Sequence, residues 1–393
     1  MPDLPLPDPD AARHSEGLAA IIRSEIVASG GSIPFSRFME LCLYSPGWGY
    51  YSAGSAKFGA AGDFVTAPEL GPLFAGCMAE AVAPVLQQLG PEAEFLGIGG
   101  GSGAFAETML KRLLALDALP SRYAILEPSA DLRERQRERL GRGLIPPVFE
   151  LIEWLDGPPE EKWNGVLFAN EVIDALPTPR FTLREGEVFE EHVSLDSEGR
   201  FISSDRPADP LLAACVRHLE RTLEHSFPDG YRSEALPQLP YWVQAVMGGL
   251  DAGAMLFVDY GYPRREYYQP QRDTGTLRAF YRHQVHNDAY LWPGLQDLTA
   301  SVDFTALAEA GTQAGFDLAG YCTQASFLLG NGLPQLLQDA ETRASEIQLQ
   351  KLRNEAKQLT LPSEMGERFQ VMGFARDVEL GAAFLAGDLT WRL

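Results

Sequence analysis

A glycine-rich segment in the first third of the sequence has the composition of a nucleotide-binding turn. Residues 97–103 read Gly-Ile-Gly-Gly-Gly-Ser-Gly, directly after an apolar stretch and directly before a stretch with helical spacing. Glycine lets the backbone turn tightly and approach a ligand closely, and a helix N-terminus offers free N–H groups. We therefore predict that Gly99, Gly101 and Gly103 bind a cofactor.

Two classes of cofactor fit this spacing. Gly99, Gly101 and Ala104 match the G-x-G-x-x-A pattern of dinucleotide-binding proteins, whereas Gly99, Gly101 and Gly103 match the G-x-G-x-G turn of methyltransferases. Glu127 ends the next predicted strand, where a carboxylate can accept hydrogen bonds from ribose hydroxyls. Because NAD and S-adenosyl-L-methionine both contain an adenosyl ribose, these residues leave both cofactors open.

A second polar cluster, Asn170-Glu171-Val172-Ile173-Asp174-Ala175-Leu176-Pro177, follows a later apolar strand. An amide and two carboxylates at a strand end can hold a cationic nitrogen through charge-assisted hydrogen bonds. Asp259 follows the next strand and could complete this set, so the candidate catalytic residues are Asn170, Glu171, Asp174 and Asp259. The alternative is structural, since asparagine and aspartate often cap the helix that follows.

Other kinds of site find little support in the sequence. It contains no G-x-S-x-G, P-loop or H-E-x-x-H motif, which counts against hydrolases, kinases and metalloproteases. His283 and His286 are spaced as a metal pair could be, but a third ligand is missing nearby, so no metal is expected. The four cysteines stand far apart and form neither a disulfide framework nor a zinc motif.

Alternating strands and helices must position these groups. Short apolar strands separated by helices indicate an α/β fold with a parallel sheet covered on both faces. The predicted strands are Glu94–Ile98, Tyr123–Leu126, Val148–Ile152, Val166–Ala169, Met255–Val258, Gln324–Leu329 and Phe369–Phe374. The predicted helices of this region are Gly71–Leu89, Ala104–Leu116, Asp131–Leu140, Phe304–Ala314 and Gln335–Gln358.

The pattern divides the chain into three parts. Residues 1–90 are predicted to be a helical N-terminal extension that contains a glycine-rich loop. Residues 91–177 and 251–393 form the nucleotide-binding core, and residues 178–250 an inserted hairpin and helix on the substrate side. The stretch from Tyr262 to Trp292 is rich in tyrosine and arginine, which are enriched at protein interfaces. It is predicted to be a substrate-facing loop, or alternatively a small core beneath a long loop.

Charge and composition limit the partners. Of 393 residues, 32 are Lys or Arg and 54 are Asp or Glu, a formal net charge of −22. Such a surface repels phosphate backbones and anionic lipid, so neither nucleic-acid binding nor membrane insertion is expected. It suits a cationic substrate, although many enzymes are acidic for solubility alone. With no signal peptide or transmembrane stretch in the sequence, we expect a cytoplasmic protein.

Several ordered motifs resemble one family, the MidA-like class I S-adenosyl-L-methionine-dependent methyltransferases. They are residues 62–69 (GDFVTAPE), the glycine turn, residues 170–177, residues 258–261 (VDYG), residues 275–281 (GTLRAFY) and residues 296–304 (QDLTASVDF). The resemblance runs from about Pro34 to Phe374. It implies a Rossmann-like, mostly parallel sheet of seven strands, with S-adenosyl-L-methionine as cofactor. Thr66 and Glu69 would close over that cofactor.

The family's mitochondrial members are assembly factors for respiratory complex I that methylate an arginine of a core subunit. The resemblance therefore implies methyl transfer to a nitrogen of a protein arginine, with a complex I subunit as the partner. Gly97 departs from the family pattern, which has an acidic residue there that orients the methionine end of the cofactor. This departure keeps a non-catalytic assembly chaperone as a rival, beside the nicotinamide-dependent oxidoreductase. A homodimer is left open.

Overall fold

The protein alternates strands and helices along most of its length, and the computed structural model describes residues 4–52 and 66–393. Its strands are β1 (Ser32–Pro34), β2 (Glu94–Ile98), β3 (Arg122–Leu126), β4 (Ile152–Leu155), β5 (Trp163–Asn170), β6 (Arg180–Arg184), β7 (Glu187–Leu195), β8 (Phe201–Pro207), β9 (Arg232–Glu234), β10 (Leu250–Tyr262), β11 (Arg278–Tyr281), β12 (Gln284–His286), β13 (Asp297–Thr299), β14 (Val302–Asp303), β15 (Asp317–Thr323) and β16 (Phe369–Arg376).

The helices range from single turns to five turns. They are α1 (Pro9–Ala28), α2 (Phe35–Tyr44), α3 (Ala67–Leu70), α4 (Leu73–Leu89), α5 (Ala104–Ala115), α6 (Ala130–Gly143), α7 (Pro146–Phe149), α8 (Pro210–Leu223), α9 (Leu239–Met247), α10 (Arg264–Tyr267), α11 (Phe304–Gln313), α12 (Gln324–Gly330), α13 (Leu333–Arg343) and α14 (Glu346–Thr360). Within the described residues, no helix combines the length and apolar character that crossing a membrane requires.

The central sheet has the strand order β15-β16-β10-β5-β2-β3-β4, and β14 pairs with the end of β10. The strands from β10 to β4 run parallel, whereas β16 is antiparallel to both of its neighbours. This confirms the predicted α/β fold with a mostly parallel sheet, to which β14 adds an eighth strand. The strand order reverses between β2 and β5, and ligands bind at such a reversal, beyond the carboxyl ends of the strands.

Strand β5 shows why the sequence folds this way. Val166 and Phe168 belong to the hydrophobic core on one face of the sheet, and Leu167 and Ala169 to the core on the other. Successive strand residues point to opposite faces, so a continuous apolar run fits only a strand that is covered on both sides.

A second sheet joins the inserted residues to the N-terminal extension. Its order is β1-β7-β6-β9, with β8 pairing with β7 as the predicted hairpin. Ile33 of β1 lies opposite Val193 of β7, so residues of the extension and of the insertion share this sheet. Helix α8 packs its apolar side, including Val216 and Leu219, against it. A third, small sheet has the order β12-β11-β13.

Two of the predicted strands are wrong. Val148–Ile152 contains the end of helix α7, and the strand β4 begins only at Ile152. Pro146 and Pro147 explain this, because proline has no N–H to offer a sheet but fits the first turn of a helix. Gln324–Leu329 is helix α12, which the Thr323 side chain caps by accepting a hydrogen bond from the Ser326 N–H, and the preceding residues form the strand β15.

One predicted helix is divided, and another starts two residues later than predicted. The region of Gln335–Gln358 is interrupted between α13 and α14, where Ser345 and Gln348 form a capping box at the start of α14. The helix predicted over Gly71–Leu89 starts at Leu73 and is preceded by the single turn α3.

Helix α14 supplies the cap that α4 lacks. Pro72, at the N-cap position of α4, makes no side-chain hydrogen bond, and the Glu355 carboxylate accepts one from the Leu73 N–H at 2.6 Å. Glu355 is buried against Gly71, and this burial raises the pKa of its carboxyl group to about 7. Helix α14 therefore holds the junction of α3 and α4 in place.

Candidate active site

A cleft of about 1040 Å³ opens at the carboxyl ends of β2, β3 and β5, where the strand order reverses. Among the described residues, its walls include the glycine turn, Glu127, Asn170 and Glu171. The volume lies at the upper end of the range for small-molecule sites, roughly 300–1,000 Å³. A nucleoside-sized cofactor and part of a substrate could share such a space.

The glycine turn presents its backbone to the cleft. Gly101 has φ +52°, and a Cβ atom built there would meet nothing within 4 Å, because the position faces open space. Gly99 also lines the cleft and has φ +73°. Gly103, with φ +84°, precedes α5 and does not line the cleft; it lets α5 approach Gln136 of α6 closely. Two of the three predicted glycines are therefore at the cleft.

Glu127 follows the end of β3 and is 4 % exposed. Its Oε1 accepts a hydrogen bond from the Ser129 N–H at 3.0 Å, and burial raises the pKa of its carboxyl group. Because the side chain also lines the cleft, its carboxylate can accept hydrogen bonds from a ribose diol, as the sequence predicts. The open glycine backbone and this buried acceptor fit a nucleoside cofactor.

Gln136 of α6 is a residue that sequence reasoning missed. It is fully buried, and its Nε2 lies 2.9 Å from the Gly101 carbonyl oxygen and 3.4 Å from Glu127 Oε2. Its Oε1 accepts a hydrogen bond from the Trp154 ring N–H at 2.8 Å. One amide thus ties the glycine turn to the acid at the end of β3 and to β4. The available signal was an uncharged polar residue in a helix whose other polar residues are all charged.

The far end of the cleft is acidic. Glu171 lines it with φ +51°, a conformation that few non-glycine residues adopt and that often marks a functional site. The Asn170 amide nitrogen donates to Glu171 Oε1 at 3.1 Å. Burial, reinforced by the nearby Asp174, raises the pKa of Glu171 to about 8. A carboxyl group with this pKa can exchange a proton near neutral pH.

The other two catalytic candidates lie behind this wall. The carboxylate of Asp259 accepts hydrogen bonds from the N–H groups of Ile173, Asp174 and Tyr260 at 3.1, 3.2 and 2.9 Å, so it fixes the turn after β5. Asp174 is 4 % exposed and does not line the cleft, and burial raises the pKa of its carboxyl group to about 6. Of the four candidates, the structure brings Asn170 and Glu171 to the cleft.

The upstream motif also contributes to the wall. Thr66 and Glu69 line the cleft on either side of Pro68, and Glu69 accepts a hydrogen bond from the Ser102 hydroxyl of the glycine turn. Residues 62–65 of the same motif lie outside the described residues. Glu69 thus contacts the glycine turn and Thr66 lines the same cleft, whereas their closing over the cofactor stays a prediction.

The expected substrate-facing loop from Tyr262 to Trp292 lies elsewhere. Among the described residues that line the cleft, none comes from this segment. Tyr267 and Tyr268 are buried against helix α8, and Arg264 pairs with Asp303 and Glu309. The prediction of a loop facing the cleft is wrong, because these rings complete the core of the insertion.

Two tyrosines that sequence reasoning passed over line the acidic end instead. Tyr44 ends α2, and its hydroxyl donates to the Ala175 carbonyl oxygen at 2.9 Å. The Tyr51 hydroxyl donates to Asp297, with both carboxylate oxygens 3.0 Å away. The two rings are stacked, with centroids 5.6 Å apart and planes inclined by 23°. Asp297 belongs to the motif of residues 296–304, which was the available signal.

Comparisons with known proteins agree with this geometry. Residues 77–322 match the model of a family described as putative S-adenosyl-L-methionine-dependent methyltransferases. The chain belongs to this methyltransferase family. A solved structure of a COG1565 superfamily member from Burkholderia thailandensis, bound to S-adenosyl-homocysteine, is 42% identical to the methyltransferase, with a TM-score of 0.91 and full coverage of both chains.

Curated relatives extend over most of the chain at lower identity. The Drosophila melanogaster protein named protein arginine methyltransferase NDUFAF7 homolog, mitochondrial, is 27% identical, covering 94% of the methyltransferase and 88% of the relative. The Danio rerio protein named protein arginine methyltransferase NDUFAF7, mitochondrial, is 28% identical. The match covers 89% of the methyltransferase and 84% of the relative. The cofactor of the methyltransferase is S-adenosyl-L-methionine, and the nicotinamide alternative is wrong.

We expect Gln136→Met to weaken binding of S-adenosyl-homocysteine to the methyltransferase about tenfold. Methionine has nearly the same length but leaves the Gly101 carbonyl and the Trp154 N–H without partners, at a cost of about 1–3 kcal/mol for a buried group. Titration calorimetry measures the affinity, with Glu134→Met on the exposed side of α6 as control. An unchanged affinity for S-adenosyl-homocysteine in the folded Gln136 variant would show that this residue contributes only to packing.

We expect Gly97→Glu to tighten binding of S-adenosyl-L-methionine about tenfold. The nearest atoms to a Cβ built at Gly97 are 3.8 Å away, on Phe95 and Tyr123, so a Cβ atom meets no clash, and Gly97 lines the cleft. A carboxylate there gains a charge-assisted hydrogen bond to the ammonium group, worth about 1.5–3 kcal/mol, and 1.4 kcal/mol is a factor of ten. Gly97→Gln is the control, because its side chain has the same length as glutamate but no charge. Equal or poorer affinity of the Glu variant in calorimetry would contradict the expectation.

Proposed function

We propose that the methyltransferase transfers a methyl group to a guanidinium nitrogen of an arginine side chain in a protein. The observation that carries this proposal is Glu171, a carboxyl group at the wall of the cleft with a pKa of about 8. Within the described chain, neither Glu171 nor Asp174 has a cationic side chain among the charges that act on it. Buried acids are normally paired with cations, so a cationic substrate would supply a partner that the described residues do not provide.

The proposed reaction requires that the cofactor and the substrate nitrogen are positioned in line and that the nitrogen loses one proton. When bound, S-adenosyl-L-methionine supplies an electrophilic methyl group on a sulfonium sulfur. Gly99, Gly101 and Glu127 would hold the nucleoside part of this cofactor, and Thr66 and Glu69 line the same cleft. Holding two reactants in line is itself a large source of rate enhancement.

Glu171 has two tasks in this proposal. A guanidinium has a pKa above 12, so its proton must be taken up as the nitrogen forms its bond to carbon. The ionised Glu171 holds the cation through a charge-assisted hydrogen bond and then accepts the proton that the nitrogen loses. Asn170 fixes the Glu171 carboxylate by its hydrogen bond of 3.1 Å, and Asp259 fixes the turn on which Glu171 stands.

We further propose, from the resemblance to complex I assembly factors, that the protein substrate is a subunit of respiratory complex I. The names of the fly and zebrafish relatives support a protein arginine as the acceptor. The experiment incubates the methyltransferase and methyl-labelled S-adenosyl-L-methionine with extract of cells that lack its gene.

Mass spectrometry should find the label on an arginine of one protein, and extract of parent cells should take up far less, because the same arginine is already methylated. Label on lysine or on a small molecule would contradict the arginine proposal. Absence of any label, while S-adenosyl-homocysteine still binds, would favour the non-catalytic chaperone.

A further inference from the structure

The acidic end of the cleft carries a feature that the proposed function does not use, the stacked pair of Tyr44 and Tyr51. Both rings line the cleft, yet both hydroxyl hydrogens are donated to protein atoms, the Ala175 carbonyl oxygen and the Asp297 carboxylate. A phenol whose hydrogen is donated can offer a ligand only its ring face and its oxygen lone pairs. Neither tyrosine can therefore donate a hydrogen bond to a substrate.

The neighbouring side chains at this end are also acceptors. Ionised Glu171 can only accept hydrogen bonds, and the buried Asn170 Oδ1 atom has no hydrogen-bond partner among the described residues. Buried polar atoms in folded proteins are nearly always partnered, so an unpartnered acceptor beside the cleft points to a ligand that donates. A guanidinium has five N–H donors and no acceptor, and an ammonium has three donors and no acceptor.

The rings distinguish between these two cations. A guanidinium is planar and weakly hydrated, and it stacks on aromatic faces, whereas an ammonium is a compact and strongly hydrated charge. The rings of Tyr44 and Tyr51 are nearly parallel, with centroids 5.6 Å apart, and both residues line the cleft that Glu171 also lines. We propose that this tyrosine pair selects a planar cation over a tetrahedral one, and that Asp297 is a positioning residue that acts through Tyr51.

Asp297 has the geometry for that second role. It is 2 % exposed and does not itself line the cleft, but its carboxylate accepts the hydrogen bond of the Tyr51 hydroxyl, and Tyr51 does line the cleft. Rotation of the Tyr51 ring would break this bond and tilt the stacked surface. Asp297 therefore fixes the orientation of the ring that a planar cation contacts.

This inference rests on the proposed function, and its test uses binding rather than methyl transfer. The methyltransferase, saturated with S-adenosyl-homocysteine, is titrated with methylguanidinium chloride or methylammonium chloride at equal ionic strength, and the dissociation constants are measured by calorimetry. Methylguanidinium should bind at least tenfold more tightly in the wild-type protein. Tyr51→Leu should reduce this preference to within threefold while leaving the affinity for S-adenosyl-homocysteine unchanged.

The role of Asp297 is tested by rescue. Asp297→Ala removes the acceptor of the Tyr51 hydroxyl and should reduce the preference as Tyr51→Leu does. Asp297→Asn keeps an oxygen that accepts this hydrogen bond and should retain the preference, whereas a direct effect of the Asp297 charge would be lost in both variants. Tyr241→Leu repeats the tyrosine-to-leucine change at an exposed position of α9 that does not line the cleft, and should leave the preference unchanged.

Equal binding of the two probes to the wild-type protein, or binding of neither, would overturn the inference. An unchanged preference in Tyr51→Leu would overturn it as well, even if the labelling experiment finds methylated arginine. Label on a residue other than arginine, with the preference for methylguanidinium intact, would instead contradict the proposed function alone.

Discussion

Replacement of Glu171 by glutamine is expected to lower kcat for methyl transfer by about 10²–10³-fold, within the range attributed to a positioned proton acceptor. Glutamine fits the same space and keeps an oxygen for the Asn170 amide, but it can neither accept the proton nor pair with the cation. The affinity for S-adenosyl-homocysteine should change less than threefold, since Glu171 lies at the substrate end of the cleft.

The pH dependence tests the same role. Burial raises the pKa of Glu171 to about 8, so the active carboxylate becomes more abundant as the pH rises toward 8. The value of kcat/KM should rise about tenfold per pH unit below this point and level off above it, because it reports the free enzyme. A bound cation stabilises the carboxylate, so the rise in kcat should occur at lower pH.

Glu185 offers a matched control for the variant Glu171→Gln. It has the same φ of +51° but is exposed in the turn between β6 and β7. Glu185→Gln therefore repeats the chemical change at the same backbone conformation and should leave both pH profiles unchanged. Activity of Glu171→Gln within threefold of wild type would contradict the proton-accepting role.

Gly101→Val is expected to abolish cofactor binding, with the dissociation constant of S-adenosyl-homocysteine raised at least 100-fold. The branched side chain would project into the open space that the Gly101 backbone lines, and φ +52° is unfavourable for valine by about 1–2 kcal/mol. In a thermal-shift assay the wild-type protein should be stabilised by S-adenosyl-homocysteine and not by NAD, since only a bound ligand raises the melting temperature.

A control variant at Gly186 distinguishes the loss of cofactor binding from the effect of backbone strain on stability. It has φ +81°, and a Cβ atom there would also meet nothing within 4 Å, but it lies in the turn between β6 and β7. Gly186→Val should lower the melting temperature by a similar amount while S-adenosyl-homocysteine still produces the full shift. A Gly101 variant that binds within threefold of wild type would show that the backbone approach at this position is not needed.

The parts of the fold that depend on residues close together in the sequence could be predicted from the sequence. The strand β2, its glycine turn and helix α5 follow one another without interruption, and the apolar run of β5 could only be a strand covered on both faces. The prediction from sequence fails where two local signals conflict, as at Val148, where an apolar residue favours a strand but the two prolines before it favour the first turn of a helix.

The site itself was predictable only in part, because its remaining contacts join distant segments. Tyr51 and Asp297 are 246 residues apart, and nothing in either segment indicates their hydrogen bond. The burial of Gln136 was difficult to predict for a local reason, because its own helix has the composition of a solvent-exposed helix. Asp259 was correctly placed at a strand end, but the backbone N–H groups that occupy its carboxylate belong to a turn whose shape the sequence does not reveal.

The cap that Glu355 provides to helix α4 also has a consequence for the timing of synthesis. Leu73 leaves the ribosome 282 residues before its partner. At about 5–20 residues per second, roughly 15 to 60 s pass before the two can meet. During this interval the start of α4, and with it the wall that carries Thr66 and Glu69, lacks its partner. A nascent chain can therefore acquire a complete cofactor cleft only late in translation, however early the glycine turn emerges.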